Sequence, residues 1–123
     1  MEFDALSKRV IGLAIDVHRE LGPGLLESTY EACLAHELNS AGIPCVTQIP
    51  LPVSYKELKL DCGYRVDLLV DDALIIELKS SRALEPIHEA QLLTYLRLAG
   101  LNTGLLINFN VRVLRDGIKR LIA

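Results

Sequence analysis

The run Gly104-Leu-Leu-Ile-Asn-Phe109 constrains the fold more than any other segment, because it is almost wholly apolar and only six residues long. A short apolar run of this kind reads as a strand buried on both faces, which requires cover on either side of its sheet. Upstream, a helix is expected from about Pro86 to Gly100, with Pro86 suited to the first turn. Before it, Leu74 to Ser80 reads as a strand. The step from Lys79 through this helix to Leu105 predicts a parallel strand pair joined by a right-handed crossover. Lys59 to Val70 and Leu74 to Ser80 in turn read as an antiparallel hairpin around Asp71-Asp72. The sheet is therefore mixed, and the expected class is α/β, a mixed central β-sheet flanked by helices.

The remaining elements fill in around that sheet. Leu6, Val10, Leu13, Ala14, Val17 and Leu21 fall on one helical stripe that Gly22-Pro23-Gly24 stops. A second helix is expected from Leu26 to Ala41, with Glu27, Tyr30, Leu34 and Leu38 along its apolar seam. Cys45 to Tyr55 carries Pro50 and Pro52, as an edge strand can, and Lys56-Glu57 looks like a turn. A short strand pair around Asp116-Gly117 is expected to close the chain.

With 123 residues, half of them hydrophobic and a quarter charged, the chain is expected to form a single domain, 1–123, with a core that needs no staples. Disorder is excluded on the same grounds. No apolar run approaches the ~18 residues of a membrane span, and the acidic start Met-Glu-Phe-Asp lacks a signal-peptide core. A soluble, cytoplasmic protein without a membrane partner is expected. Cys33, Cys45 and Cys62 are too scattered for a zinc site or disulfide framework, and read as small buried hydrophobes. The net charge of −3 argues against non-specific coating of nucleic acid. It conceals a basic tail, Arg112, Arg115, Lys119 and Arg120, that offers a phosphate-facing edge or simply a solvated terminal strand.

The hairpin concentrates the chemistry. Side chains alternate along a strand, so Ile75, Glu77 and Lys79 share one face, as do Arg65, Asp67 and Leu69 on the partner. If the loop is Asp71-Asp72-Ala73, Val70 pairs with Leu74 and Asp67 stands opposite Glu77. Facing carboxylates repel. A hard divalent cation offsets this well, since Mg²⁺ takes one or two carboxylates plus water and phosphate oxygens. An ordinary cross-strand ion network with Lys79 is the alternative. Lys79 is also placed to orient an attacking water and stabilise developing negative charge. Glu27 needs a partner if it lies on a buried seam, or it sits at a helix start favoured by the macrodipole. On the Pro86 helix His88, Gln91 and Tyr95 share a face. Gln91 and Tyr95 can reach phosphate, water or a base, whereas His88 reads as an ordinary helix-face histidine.

Together these residues resemble a known family. Gly24-Leu-Leu-Glu27-Ser-Thr-Tyr30 fits a GxxExxY signature. With Asp67, Glu77-Leu78-Lys79 and Gln91…Tyr95, the chain is similar to GxxExxY proteins of the PD-(D/E)XK nuclease superfamily, over nearly its whole length. The resemblance implies a restriction-endonuclease-like αβββαβ core. It implies Asp67, Glu77 and the Leu78 carbonyl as metal ligands, with Glu27 completing the acidic set. It further implies Lys79 as the water-positioning lysine and Gln91 and Tyr95 as substrate-supporting residues. Val66 stands where the superfamily's name places proline. The expected activity is Mg²⁺- or Mn²⁺-dependent hydrolysis of nucleic acid, DNA ahead of RNA, with a homodimer as one way to address two strands. The competing expectations are a module that binds nucleic acid without cutting it, and a structural interaction protein.

Overall fold

The computed structural model describes residues 4–123, so the reading of Met1 to Phe3 lies outside the described residues. The chain runs through α1 (Ala5–Leu21), α2 (Glu27–Ser40), β1 (Cys45–Pro50), β2 (Val53–Tyr55), β3 (Leu58–Leu60), β4 (Arg65–Val70), β5 (Leu74–Lys79), α3 (Pro86–Ala99), β6 (Thr103–Asn108) and β7 (Ile118–Ile122), with a 3-10 turn at Leu114–Gly117. Five strands form one sheet in the order β1-β4-β5-β6-β7, and β2 with β3 forms a separate two-stranded ribbon. The β5–β6 pair is parallel and the others are antiparallel. This is the mixed, helix-flanked sheet that the strand–helix–strand step requires, and it is consistent with a restriction-endonuclease-like fold.

The sheet is covered on both faces, as the apolar β6 demands. On one side Val10, Ala14 and Val17 of α1 and Tyr30, Leu34 and Leu38 of α2 pack on Leu68, Leu74, Ile76, Leu78, Leu105 and Ile107. On the other, Leu92, Tyr95 and Leu96 of α3 pack on Val66, Ile75 and Leu106. Asp4 caps α1 by accepting the Ser7 amide at 2.8 Å, and its carboxylate also pairs with Arg120 at 2.9 Å, tying the first helix to the last strand. No helix among the described residues is long and apolar enough to cross a membrane.

Four expectations need correction. Cys45 to Tyr55 is not one edge strand: it breaks at Leu51-Pro52, so β1 joins the main sheet while β2 pairs only with β3. Lys59 to Val70 is two strands, because Asp61-Cys62-Gly63 turns the chain: Gly63 has φ +75 and its amide bonds the Asp61 carboxylate at 3.2 Å. No strand pair surrounds Asp116-Gly117. Leu114 is instead buried in the core, and the chain turns back through Leu114–Gly117 so that β7 alone pairs with β6. Finally, Cys62 is exposed and Cys33 and Cys45 are only half-buried.

Gly117 is where the terminal turn touches the sheet most closely: a Cβ there would lie 2.2 Å from the Asn108 carbonyl oxygen, which is backbone and cannot swing aside. Gly117→Ala should therefore cost about 2 kcal/mol or more in urea unfolding. Gly12, inside α1 with open space around it, should behave in the opposite sense. Gly12→Ala is expected to stabilise the chain by about 0.5–1 kcal/mol in the same assay.

Candidate active site

The site begins with a turn. Asp71 and Asp72 both adopt left-handed backbone, φ +53 and +52, and the Ala73 amide closes on the Val70 carbonyl at 3.0 Å. Two successive left-handed residues match the twist of a hairpin. They set the register Val70↔Leu74, Leu69↔Ile75 and Leu68↔Ile76. One step further, this register brings Asp67 opposite Glu77, and there the regular ladder gives way to side chains. The Asp67 amide donates to Glu77 Oε1 at 3.3 Å, and the Leu78 amide donates to Asp67 Oδ2 at 2.8 Å. Each carboxylate thus takes an amide from the opposite strand, which relieves part of the repulsion between them.

The same point distorts β1. Its pairs with β4 run Thr47↔Leu68 and then Ile49↔Val66, skipping Gln48 and Asp67. Gln48 has φ +53. The expected alternation along β4 breaks here too: Val66 packs under α3, whereas Leu68 and Val70 pack under α1 and α2. A local twist at Gln48 and Asp67 is the physical reason.

Glu77 is 5% exposed. Burial, reinforced by the charge and hydrogen bonding of Asp67, pushes its carboxyl up to about 9, against the weaker opposing pull of the Asp67 amide and Lys79. Without a cation beside it, Glu77 holds its proton at neutral pH. Lys79 is half-buried and forms no ion pair among the described residues. It lines a groove of about 690 Å³ together with Gln91, Tyr95 and Tyr64. The Gln91 amide donates to the Tyr95 hydroxyl at 2.9 Å. Burial first, then the neighbouring Glu77 carboxylate, raises the Tyr95 phenol. Asp67, Glu77, Lys79, Gln91 and Tyr95 therefore form one neighbourhood, as their spacing suggested. His88 does not join it as a ligand; its Nδ1 accepts the Glu85 amide at 3.0 Å and so secures the start of α3.

Glu27 is placed differently from its expected buried seam. Tyr30, Leu34 and Leu38 are fully buried, but Glu27 is exposed in the first turn of α2. Its Oε2 accepts the Ser80 amide at 3.2 Å, just past Lys79. The loop before it is held by Tyr30, whose hydroxyl donates to the Gly22 carbonyl at 2.6 Å and accepts the Leu25 amide at 3.1 Å. Gly24 supplies φ +95 within that loop. Glycine, glutamate and tyrosine at this spacing thus serve one purpose: the first permits the turn, the last clamps it, and the acid is held against the end of β5.

Three residues near the site escape a reading of the sequence. Glu31, one turn after Glu27, accepts a short hydrogen bond from Gln48, whose amide also reaches Asp67 Oδ1 at 3.2 Å. Burial and the charge of Asp67 raise its carboxyl, opposed by the Gln48 hydrogen bond. The i, i+4 spacing from Glu27 was the available signal. Tyr64, 44% exposed, stands 6.2 Å from Tyr95 between ring centroids, with the planes at 58°. Nothing local to its position marks it.

The donor set suits a hard divalent ion. Among the described residues no three of His, Cys, Asp and Glu gather into a ligand cluster. Asp67 and Glu77 nevertheless supply the one or two carboxylates such an ion requires. The Lys79 carbonyl accepts the Phe109 amide at 2.9 Å on the β6 side. Leu78, one residue earlier, accordingly directs its amide and carbonyl to the β4 side, where Asp67 lies. Asp67 and Glu77 are thus two acids in contact, with Glu77 protonated at neutral pH.

A family model described as the PD-(D/E)XK nuclease superfamily matches residues 4–121. No curated protein and no solved structure gives a significant match. The matched span includes every residue of the site from Glu27 to Tyr95, on a mixed sheet flanked by helices, and the chain belongs to the PD-(D/E)XK nuclease superfamily.

Proposed function

We propose that the chain is a divalent-metal-dependent phosphodiesterase that hydrolyses nucleic acid, with DNA as its substrate and Mg²⁺ or Mn²⁺ as its ion. The observation that carries this reading is the convergence of Asp67 and Glu77 at the point where the β4–β5 ladder opens, beside Lys79 in an accessible groove. Asp67, Glu77 and the Leu78 carbonyl would hold the cation, with Glu27 at the edge of the site near Ser80. A cation so held would neutralise charge on the phosphate and lower the pKa of a water. Lys79 orients the attacking water and stabilises negative charge developing on the phosphoryl oxygens. Gln91 and Tyr95, already joined by a hydrogen bond, present a donor pair to the substrate from α3. Tyr64 and the 67% exposed Ile87 give the groove apolar walls against which bases can rest. The Gly24, Glu27 and Tyr30 arrangement supports placing the chain among GxxExxY proteins within its superfamily.

Incubation of the pure protein with DNA and Mn²⁺ should give cleavage that EDTA abolishes. Glu77→Ala and Lys79→Ala should each lower the rate by about 10²–10⁴. Cleavage unchanged by Glu77→Ala would refute the assignment, and salt-dependent binding without cleavage under any divalent ion would replace it with a non-cutting module.

The raised Glu77 carboxyl makes a separate prediction for the metal-free protein. The folded state holds the proton to about pH 9, whereas the unfolded chain releases it near 4.5. This group's stabilising contribution is therefore complete below pH 4.5 and is lost as the pH rises towards 9. Glu77→Gln should remove that dependence and raise stability at pH 8 by on the order of a few kcal/mol, measured by urea unfolding in EDTA. Mn²⁺ should raise the Tm of the parent chain but leave that of Glu77→Gln nearly unmoved, because the ion requires the ionised carboxylate.

A further inference from the structure

The basic tail divides into two parts. Lys119 pairs with Glu89 at 2.9 Å and Arg120 with Asp4 at 2.9 Å, so both are engaged within the fold. Arg112 and Arg115 are exposed and make no ion pair among the described residues. They lie in the segment between β6 and β7 and line a groove of about 420 Å³ with Arg19 and His18 of α1. No carboxylate among the described residues lines this groove. The segment that carries the two arginines is well anchored: His18 Nε2 bonds the Val111 carbonyl at 2.8 Å, and Leu114 is 3% exposed in the core.

Its position in the sheet relates it to the catalytic neighbourhood. Lys79 pairs with Asn108, so the ends of β5 and β6 lie side by side. The segments that follow them are joined by hydrogen bonds from the Ser81 amide to Asn108 Oδ1 at 3.1 Å, and from the Asn108 and Asn110 side chains to the Ser81 carbonyl at 3.0 and 3.2 Å. The arginines begin four residues after Asn108, at the same end of the sheet as Lys79. Arg19 also borders an open face of α1 that carries Lys8 and Arg9, with Asp16 its one acid among the described residues. A basic groove continued by a basic helix face through a shared arginine suits an extended polyanion better than an isolated phosphate.

We infer that Arg19, Arg112 and Arg115 form a phosphate-binding track that holds the backbone of the nucleic-acid strand beside the point of cleavage. The identity of the strand rests on the proposed nuclease function; the track itself rests on the groove and its charge. It gives this acidic chain a grip on its substrate that does not depend on the metal site.

The test is binding without turnover. The full chain is titrated into fluorescein-labelled DNA in EDTA, and affinity is followed by anisotropy across a range of salt. The Arg112→Gln/Arg115→Gln double variant should bind about tenfold or more weakly and reduce the slope of log K against log salt by about 1.5–2. Arg19→Gln alone should reduce it by about 1 and serves as the second variant if the double one melts early. Arg97→Gln, in the last turn of α3 at the opposite end of the sheet, should change neither quantity. A parental slope in both groove variants would overturn the track, as would a parent chain that binds anionic vesicles or inorganic phosphate but not DNA. Cleavage lost in Glu77→Ala with binding unaltered in the arginine variants would refute the track alone. Binding lost in the arginine variants, with no cleavage by the parent chain, would refute the catalytic reading alone.

Discussion

Two carboxylates that meet across a sheet are the constraint around which this molecule is arranged. Had the β4–β5 ladder continued regularly, Asp67 and Glu77 would face each other with nothing between them. Their side chains instead capture the Leu78 and Asp67 amides. Regular pairing is interrupted there, and β1 accommodates the interruption with left-handed backbone at Gln48. The rest of the sheet can tolerate this gap because it is strongly held elsewhere. The parallel pairing of β5 with β6 continues past it, to Lys79↔Asn108, between strands buried on both faces.

That arrangement explains how a polar site survives in so apolar a setting. Burying an acid is expensive unless it is paired or protonated. Glu77 takes the second course in the metal-free chain. Its closest partner is the Asp67 carboxylate with the Asp67 amide, and the opposing pull of Lys79 is too weak to ionise it. Lys79 and the Gln91–Tyr95 pair line the groove, leaving buried Glu77 and half-buried Asp67 on one side of the centre and the exchangeable polar groups on the other.

Much of this was legible in the sequence because it depends on local rules. The hairpin register followed once the loop was taken as Asp71-Asp72-Ala73, a length the residues alone left open, and the crossover followed from the position of the Pro86 helix between two apolar strands. What was hidden depends on tertiary approach. Alternation through Lys59 to Val70 masked the Asp61–Gly63 turn, although Gly63 was a punctuating residue. Glu27 shared the helical phase of Tyr30 and Leu34, but it occupies the first turn, where the helix emerges from the core, so phase alone misjudged its burial. Glu31 and Gln48 become neighbours of Asp67 only because β1 kinks, and no periodicity encodes a kink. The basic tail was visible as a composition shift. That Lys119 and Arg120 would be consumed by Glu89 and Asp4 required the packing of β7 beside α1 and α3.

Gln48 has a second consequence through its place on β1, which is an outer strand of the sheet. A straight outer strand offers its free backbone groups to any other extended chain, and natural sheets blunt such margins with bulges and prolines. Here the left-handed residue interrupts the row midway, and Pro50 ends it without an amide to donate. The twist that turns an amide side chain towards Asp67 and Glu31 therefore also spoils this margin as a template for strand-by-strand self-association. A substitution that straightened Gln48 would disturb the acidic centre and, at the same time, make the chain more prone to aggregate.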